Sequence, residues 1–137
     1  IIVDIIELAR ELGAKIQEDE RYLNLKIASQ VNDSDENLQT LINEFNLKRI
    51  NVSNELSKST HDDEKIRLLN EDLQKCYNEI MKNENMINYN RAKADFDELM
   101  RRINAIIVGC ANGENPRTVD VLKSECSGNC SGCAGCH

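Results

Sequence analysis

The sequence is poor in the residues that interrupt helices. It contains one proline and six glycines in 137 residues, and five of the glycines lie at or after Gly109. Proline and glycine are the residues least compatible with a helix interior, so roughly the first hundred residues are predicted to form long helices. Tryptophan is absent and aromatic residues make up only 4%. The core must therefore be aliphatic, and a thin helical chain of this kind gains by burying surface against other chains.

Long apolar runs are also absent, and none approaches the ~20 residues that a membrane-spanning helix needs. The stretch IIVDIIELAR has no basic segment and reaches Asp4 after three apolar residues, which does not fit a signal peptide. We therefore expect a cytoplasmic protein that has no membrane span and whose thiols are reduced. Clustered cysteines in that compartment indicate metal or redox chemistry rather than structural disulfides.

Positive charge is scarce as well, since the net charge is −7 and the pI is near 4.9. A general nucleic-acid binder needs basic residues to neutralise phosphates, so no direct nucleic-acid binding is expected. One basic strip interleaves with acidic residues and is interpreted as a solvated helix face; it comprises Arg91, Lys93, Arg101 and Arg102.

Apolar residues recur at helical spacing along most of the chain, which predicts five helices. The expected ranges are 3–17, 20–31, 36–58 and 86–111, with a further helix that carries the apolar repeat from Ile66 to Ile80 and ends before a break at residues 82–85. Asp33 with Glu36, and Thr60 with Asp63, are predicted to be N-terminal cap pairs. The last two helices repeat apolar residues every three or four positions and are expected to form an antiparallel hairpin. The predicted fold is an all-α antiparallel bundle with a long C-terminal helical hairpin.

Two cysteines, Cys76 and Cys110, fall at apolar positions of this repeat. Buried free cysteine behaves as a small hydrophobe, so packing is the expected role of both. After residue 111, Gly113 is predicted to supply a left-handed helix cap and Pro116 to prevent continuation. The chain then divides into a helical domain, residues 1–111, and a mostly irregular linker and tail, residues 112–137.

The tail ends in CSGNCSGCAGCH, which places four cysteines in twelve residues. Cys126, Cys130, Cys133 and Cys136 form a C-x3-C-x2-C-x2-C run, and intervening glycines permit the tight turns of a loop wrapped around a metal. Four thiolates can hold a [4Fe–4S] cluster or a tetrahedral zinc ion. The continuous run favours the cluster, with zinc as the alternative.

Other interpretations of the tail are less favoured. A radical-SAM triad or a thioredoxin-like dithiol would need a β/α barrel or a βαβ scaffold, and the sequence predicts neither. A tail of free thiols is the main competitor, although four exposed thiols would be prone to oxidation. His137 is interpreted as an exposed chain end and His61 as a surface residue in the turn before the fourth helix. No catalytic set of nucleophile, base and orienting residue is found, so no enzymatic activity is expected.

Three stretches carry a family resemblance: LARELGAKIQEDERY, LINEFNLKR and EIMKNENMINYNRAKADFDELMRRINAII. In this order they resemble the YlbF/YmcA family of small helical bacterial regulators, over roughly 80% of the chain. The resemblance implies an all-α protein that self-associates or joins paralogous members. It also implies a role in competence, sporulation and biofilm formation. Its implied partners are a YaaT-like protein, in a complex that carries [4Fe–4S] clusters, and RNase Y, whose RNA maturation that complex directs.

The expected function is therefore that of a non-enzymatic regulator or scaffold with a thiolate site in its tail, acting as a sensor or an assembly staple. A zinc-stapled interaction module and a small iron–sulfur electron-transfer subunit are the alternatives. Whether two chains share a cluster, and whether Cys110 or His137 takes part, stays open from the sequence.

Overall fold

A computed structural model describes residues 3–121, and it describes them as helical with no β-strand. The helices are α1 (Ile5–Glu18), α2 (Glu20–Ser34), α3 (Glu36–Leu56), α4 (Asp63–Lys82) and α5 (Glu84–Ala111). This confirms the all-α fold and the five predicted helices. Across the described part of the chain, no helix is both long and apolar enough to span a membrane.

Aspartates precede three of the helices and cap them. The carboxylates of Asp19, Asp35 and Asp62 each accept a hydrogen bond from a backbone N–H in the first turn of the helix that follows. Such bonds satisfy donors that have no partner within the helix. The predictions that placed Asp33 and Thr60 at these caps are wrong. Asp33 still lies inside α2, and Thr60 lies two residues before the true cap of α4.

Contacts divide the chain into two compact units, Ile1–Ala94 and Asp95–His137, and the division falls inside α5. In the first unit α3 and α4 pack along each other. Their contact buries Leu38, Cys76 and Ile80. Half-buried residues surround this small core, namely Leu41, Ile42, Phe45 and Met86.

The expected hairpin between α4 and α5 is wrong, because the long neighbour of α4 is α3. Only Asn83 separates α4 from α5, whereas residues 57–62 connect α3 to α4. Antiparallel helices need a connection of about two to five residues to reverse direction, and one residue is too short. The apolar repeat of α4 correctly indicated a buried face but not the helix that covers it.

The connection between α3 and α4 is held by a buried carboxylate. The Glu55 side chain is 5% exposed and lies 2.7 Å from Lys58 Nζ and 3.4 Å from Lys65 Nζ. It also accepts a hydrogen bond of 3.3 Å from the backbone N–H of Asp62. The hydrogen bond from Lys58 and that from Asp62 lower the pKa of Glu55 to about 2. Glu55 therefore joins the end of α3 to the start of α4 as an ionised group.

A second carboxylate joins the start of α3 to the start of α5. Asp35 Oδ2 accepts hydrogen bonds from the side-chain amides of Asn83 and Asn85, at 3.1 and 2.9 Å. The backbone N–H of Leu38 is the largest cause that lowers the pKa of Asp35, followed by these two amides. One aspartate thus caps α3 and also positions the turn that leads into α5.

Candidate functional site

The four cysteines predicted to bind metal, Cys126, Cys130, Cys133 and Cys136, lie outside the described residues, as does His137. The structure describes the segment that leads to them, residues 112–121, which we call the strap. Its last residue, Val121, lies five positions before Cys126. Within residues 3–121, no three or more His, Cys, Asp or Glu side chains are grouped so that they could hold a metal ion. The metal site at the tail cysteines stays a prediction.

The other two cysteines are free thiols in the helices. Cys76 is buried, and its thiol donates a hydrogen bond of 3.3 Å to the backbone carbonyl of Leu41. Burial raises the pKa of the Cys76 thiol, which keeps it protonated and unreactive. This confirms its predicted packing role. Cys110 is half-buried near the C-terminal end of α5.

Helix α5 ends in a glycine cap that turns the chain back toward the helix. Gly113 has a φ of 90°, and its N–H donates to the carbonyl of Cys110 at 3.0 Å. The N–H of Glu114 donates to the carbonyl of Gly109 at 2.9 Å. This pair of bonds is the Schellman motif, in which a residue in the left-handed region satisfies the last carbonyls of a helix. The predicted role of Gly113 is confirmed.

The strap then packs against α5 at Gly109, which is buried. A Cβ built at this position would overlap Val119 Cγ2 and would lie 2.5 Å from the carboxylate of Glu114. No larger residue fits unless the strap moves. A turn in which the N–H of Val119 donates to the carbonyl of Asn115, at 2.9 Å, brings the valine into this position.

An ion pair fastens the strap one residue further on. The Arg102 guanidinium on α5 donates to both carboxylate oxygens of Asp120, with a shortest distance of 2.7 Å. The Arg102 guanidinium is also the largest cause that lowers the pKa of Asp120. Exposed pairs of this kind stabilise little on their own, but bidentate geometry fixes orientation. Gly109, Gly113 and Arg102 together set the path of the strap along the helix.

A groove of about 510 Å³ lies between α5 and the strap. Ala105, Val108 and Gly109 supply its apolar part on the helix, and Val121 closes it on the strap side. Charged and polar residues form the rest of the lining: Arg101, Asn104, Asn112, Glu114 and Asp120.

The second candidate feature is an extensive exposed apolar surface. Helix α1 buries none of its residues, and Ile5 is 76% exposed. Its apolar stripe consists of Ile5, Leu8, Leu12 and Ile16. Every other helix also exposes large apolar side chains, among them Leu23, Ile27, Leu47, Leu68 and Ile107. Exposed apolar surface on this scale is typical of protein–protein contact sites.

Sequence reasoning missed the roles of two α5 residues that contact the strap, Gly109 and Arg102, and placed His61 correctly. His61 is exposed with its Nε2 atom 3.5 Å from the Asp63 carboxylate, which confirms its surface role. Arg102 was interpreted as part of a solvated face, because its partner Asp120 lies 18 residues away. The contact at Gly109 has a sequence signal, because a lone glycine inside a regular helical pattern can mark a packing contact.

The described part of the chain is an all-α protein with a small core and exposed apolar faces, and it contains no group of three or more His, Cys, Asp or Glu side chains that could hold a metal ion. The family model "Control of competence regulator ComK, YlbF/YmcA" matches residues 5–109. The chain belongs to this family, which is a family of regulators. No curated protein and no solved structure matches the chain.

Proposed function

We propose that the chain is a non-enzymatic regulator of the cytoplasm that works by assembling with copies of itself, paralogous members and other proteins. The observation that supports this proposal most directly is the amount of apolar surface that the chain leaves exposed. Only Leu38, Cys76 and Ile80 are buried apolar residues among residues 3–121, whereas each helix exposes large apolar side chains. A chain of this kind gains stability by covering those faces with a partner.

The α1 stripe is the surface for which this proposal is most readily tested. Replacing both Leu8 and Leu12 by glutamate should weaken self-association at least tenfold, because charge in an apolar contact opposes burial that is worth about 1.5–3 kcal/mol per side chain. Ala14→Glu adds negative charge to the opposite face of the same helix and is the control. Sedimentation equilibrium over a range of concentrations measures the dissociation constants. Equal association of the control and the double variant would contradict a role for the stripe.

The second part of the proposal is a [4Fe–4S] cluster bound by Cys126, Cys130, Cys133 and Cys136. Four closely spaced thiolates are a donor set that suits such a cluster, and the glycines between them permit the turns it requires. A bound cluster would supply sensitivity to oxygen and iron, and its loss would release the tail. The regulator would then respond to redox state or iron supply through its assembly.

Anaerobic purification with analysis of iron, sulfide and zinc tests this part. We expect iron and sulfide in a ratio near one, with a broad absorption band at about 400 nm. A protein in which both Cys130 and Cys133 are replaced by serine should lose that band. Cys76→Ser is the control, since Cys76 is buried in the core and distant in sequence from the tail. Zinc in place of iron and sulfide would assign the site to a structural module without a redox role.

The cellular role that we propose follows family membership and resemblance. It is regulation of competence, sporulation and biofilm formation through a YaaT-like partner and RNase Y-dependent RNA maturation. Deletion of the gene should then change the processing of RNase Y-dependent transcripts, and restoration with the tail-less chain would show whether the cysteines are needed.

A further inference from the structure

We propose that Asn112 is a site of spontaneous deamidation controlled by the cap of α5, and that the product of this reaction loosens the strap. Asn112 is the one asparagine in the sequence that is followed directly by glycine. It lies at the first position after α5, and both Asn112 and Gly113 are exposed. The reaction requires no metal, partner protein or enzyme, so its outcome is independent of the assembly and of the metal site proposed above.

The reaction joins the backbone nitrogen of Gly113 to the side chain of Asn112. Hydroxide removes the proton from that nitrogen, and the nitrogen attacks Cγ of Asn112. The Cγ–Nδ2 bond breaks, and ammonia leaves with a proton taken from water. Water then opens the resulting succinimide ring at either carbonyl and yields aspartate or isoaspartate, with no atom oxidised or reduced. Glycine favours the ring closure because it has no Cβ to obstruct the approach.

The cap at the end of α5 determines when this step can occur. The N–H of Gly113 donates to the carbonyl of Cys110 at 3.0 Å, so the attacking nitrogen is engaged while the cap is closed. Deamidation therefore requires the cap to open, as helix ends do more readily than helix interiors. The rate at Asn112 thus reports how often the cap opens.

Either product places a negative charge where the strap meets the helix. Asn112 lines the groove together with Glu114 and Asp120. The C-terminal end of a helix also carries partial negative charge, so a carboxylate there is unfavourable. Arg101 lines the same groove, but its guanidinium is already paired with Glu98, at 2.9 Å. The added charge therefore weakens the contact between strap and helix.

Isoaspartate has a further effect, because it inserts a methylene into the main chain before Gly113. The two N–H groups that cap the helix, those of Gly113 and Glu114, reach their carbonyl acceptors at 3.0 and 2.9 Å in the intact cap. The longer main chain moves both groups out of register with these acceptors. The strap then loses the two bonds that start its course along α5.

One tryptic peptide, residues 103–117, contains Asn112 and two internal controls. Asn115 precedes Pro116, whose nitrogen has no proton to lose. Asn104 lies within α5, where the amide that follows it is bonded in the helix. The full-length chain is incubated in mildly alkaline buffer with reductant and chelator, digested, and analysed by tandem mass spectrometry. Asn112 should convert at least about tenfold faster than Asn104, and Asn115 should not convert.

The Gly109→Ala chain tests control by the cap, because the added Cβ displaces the strap. It should convert Asn112 at least about fivefold faster than the wild-type chain. Gly13→Ala should leave the rate unchanged, since a Cβ at that position meets nothing within 4 Å. The proposal fails if the folded chain shows no conversion over a period in which the chain unfolded in guanidinium chloride converts. Equal rates at Asn104 and Asn112, or in the wild-type and Gly109→Ala chains, would also contradict it.

Amide hydrogen exchange at Glu114 and Val119 tests the consequence for the strap. The converted chain, separated by ion exchange, should exchange at least about fivefold faster at both amides than the fresh chain. Asn112→Gln is the matched control, since glutamine closes a larger ring much more slowly, and it should keep its protection through the same incubation. Unchanged protection in the converted chain would overturn the loosening of the strap, and so would an equal loss of protection in the Asn112→Gln chain.

Discussion

Replacing Gly109 by alanine should separate the stability of α5 from the attachment of the strap. Inside a helix, replacing glycine by alanine raises the free energy of unfolding by about 0.5–1 kcal/mol, because alanine loses less conformational entropy than glycine on folding. The opposing effect is the overlap of the new Cβ with Val119, and overpacking typically costs about 1–3 kcal/mol. The atoms nearest to the added Cβ belong to Val119 and Glu114, so movement of the strap relieves the overlap.

The expected result is therefore different for the helices and for the strap. The free energy of unfolding, measured by urea titration of the helical circular-dichroism signal, should stay level or rise by up to about 1 kcal/mol. Hydrogen exchange at the amides of Glu114 and Val119 should accelerate by about 5- to 150-fold, which corresponds to the overpacking cost given above. The strap would detach while α5 stays folded.

Gly13→Ala is the matched control, because a Cβ at position 13 of α1 meets nothing within 4 Å. It should give the same gain in helix stability and leave exchange in the strap unchanged. Unchanged protection of Glu114 and Val119 in the Gly109→Ala protein would refute the reasoning. A loss of more than about 1 kcal/mol in unfolding free energy would also refute it, since the strain would then fall on the helices.

Two further predictions concern the core and the connection between α3 and α4. Leu38 is the one large side chain of residues 3–121 that is fully buried, so Leu38→Ala should lower the free energy of unfolding by about 2–5 kcal/mol. Leu47 lies on the same helix and is 62% exposed, so Leu47→Ala should lower it by less than about 0.5 kcal/mol. Urea titrations at low protein concentration measure both values. Equal costs would contradict the assigned core. The lowered pKa of Glu55, about 2 against the usual 4.5, means that its ionised form stabilises the fold above about pH 4.5 and that this stabilisation is lost as the pH falls toward 2. Glu55→Gln should therefore be less stable than the wild type at pH 7, and the difference in urea midpoint should shrink steadily below pH 4.5. A difference that does not change with pH would exclude the ionised carboxylate as its source.

The sequence allowed the helices to be predicted well and their pairing poorly, for one physical reason. A repeat of apolar residues at every third and fourth position indicates that a helix face is buried, whichever surface covers it. Helix α4 is an example, because its repeat of apolar residues is compatible with burial against α3 or against α5. The lengths of the connections carried the missing information, since one residue at Asn83 cannot reverse the chain and six residues at 57–62 can.

Part of the strap could be predicted from its glycine and proline residues, Gly113 and Pro116. Gly113 was assigned its cap because glycine is the residue that adopts a φ of 90° without strain. The pairing of Arg102 with Asp120 was not predictable, because a bond across 18 residues depends on the turn that folds the strap back. Sequence patterns indicate contacts between residues that are close in sequence, whereas the position of the strap depends on contacts between residues that are far apart in sequence.

The same limit explains why the α1 stripe is informative about assembly. The spacing of Ile5, Leu8, Leu12 and Ile16 is that of a buried helix face, yet α1 buries none of its residues in the single chain. The stripe is therefore the face that we propose a partner covers. The positions of the stripe differ in how much apolar surface a partner could still bury. Ile5, which is 76% exposed, offers the most, and the half-buried Ile16 offers the least. Alanine at Ile5 should weaken association more than alanine at Ile16, and the opposite order would mean that the stripe serves the fold of the single chain.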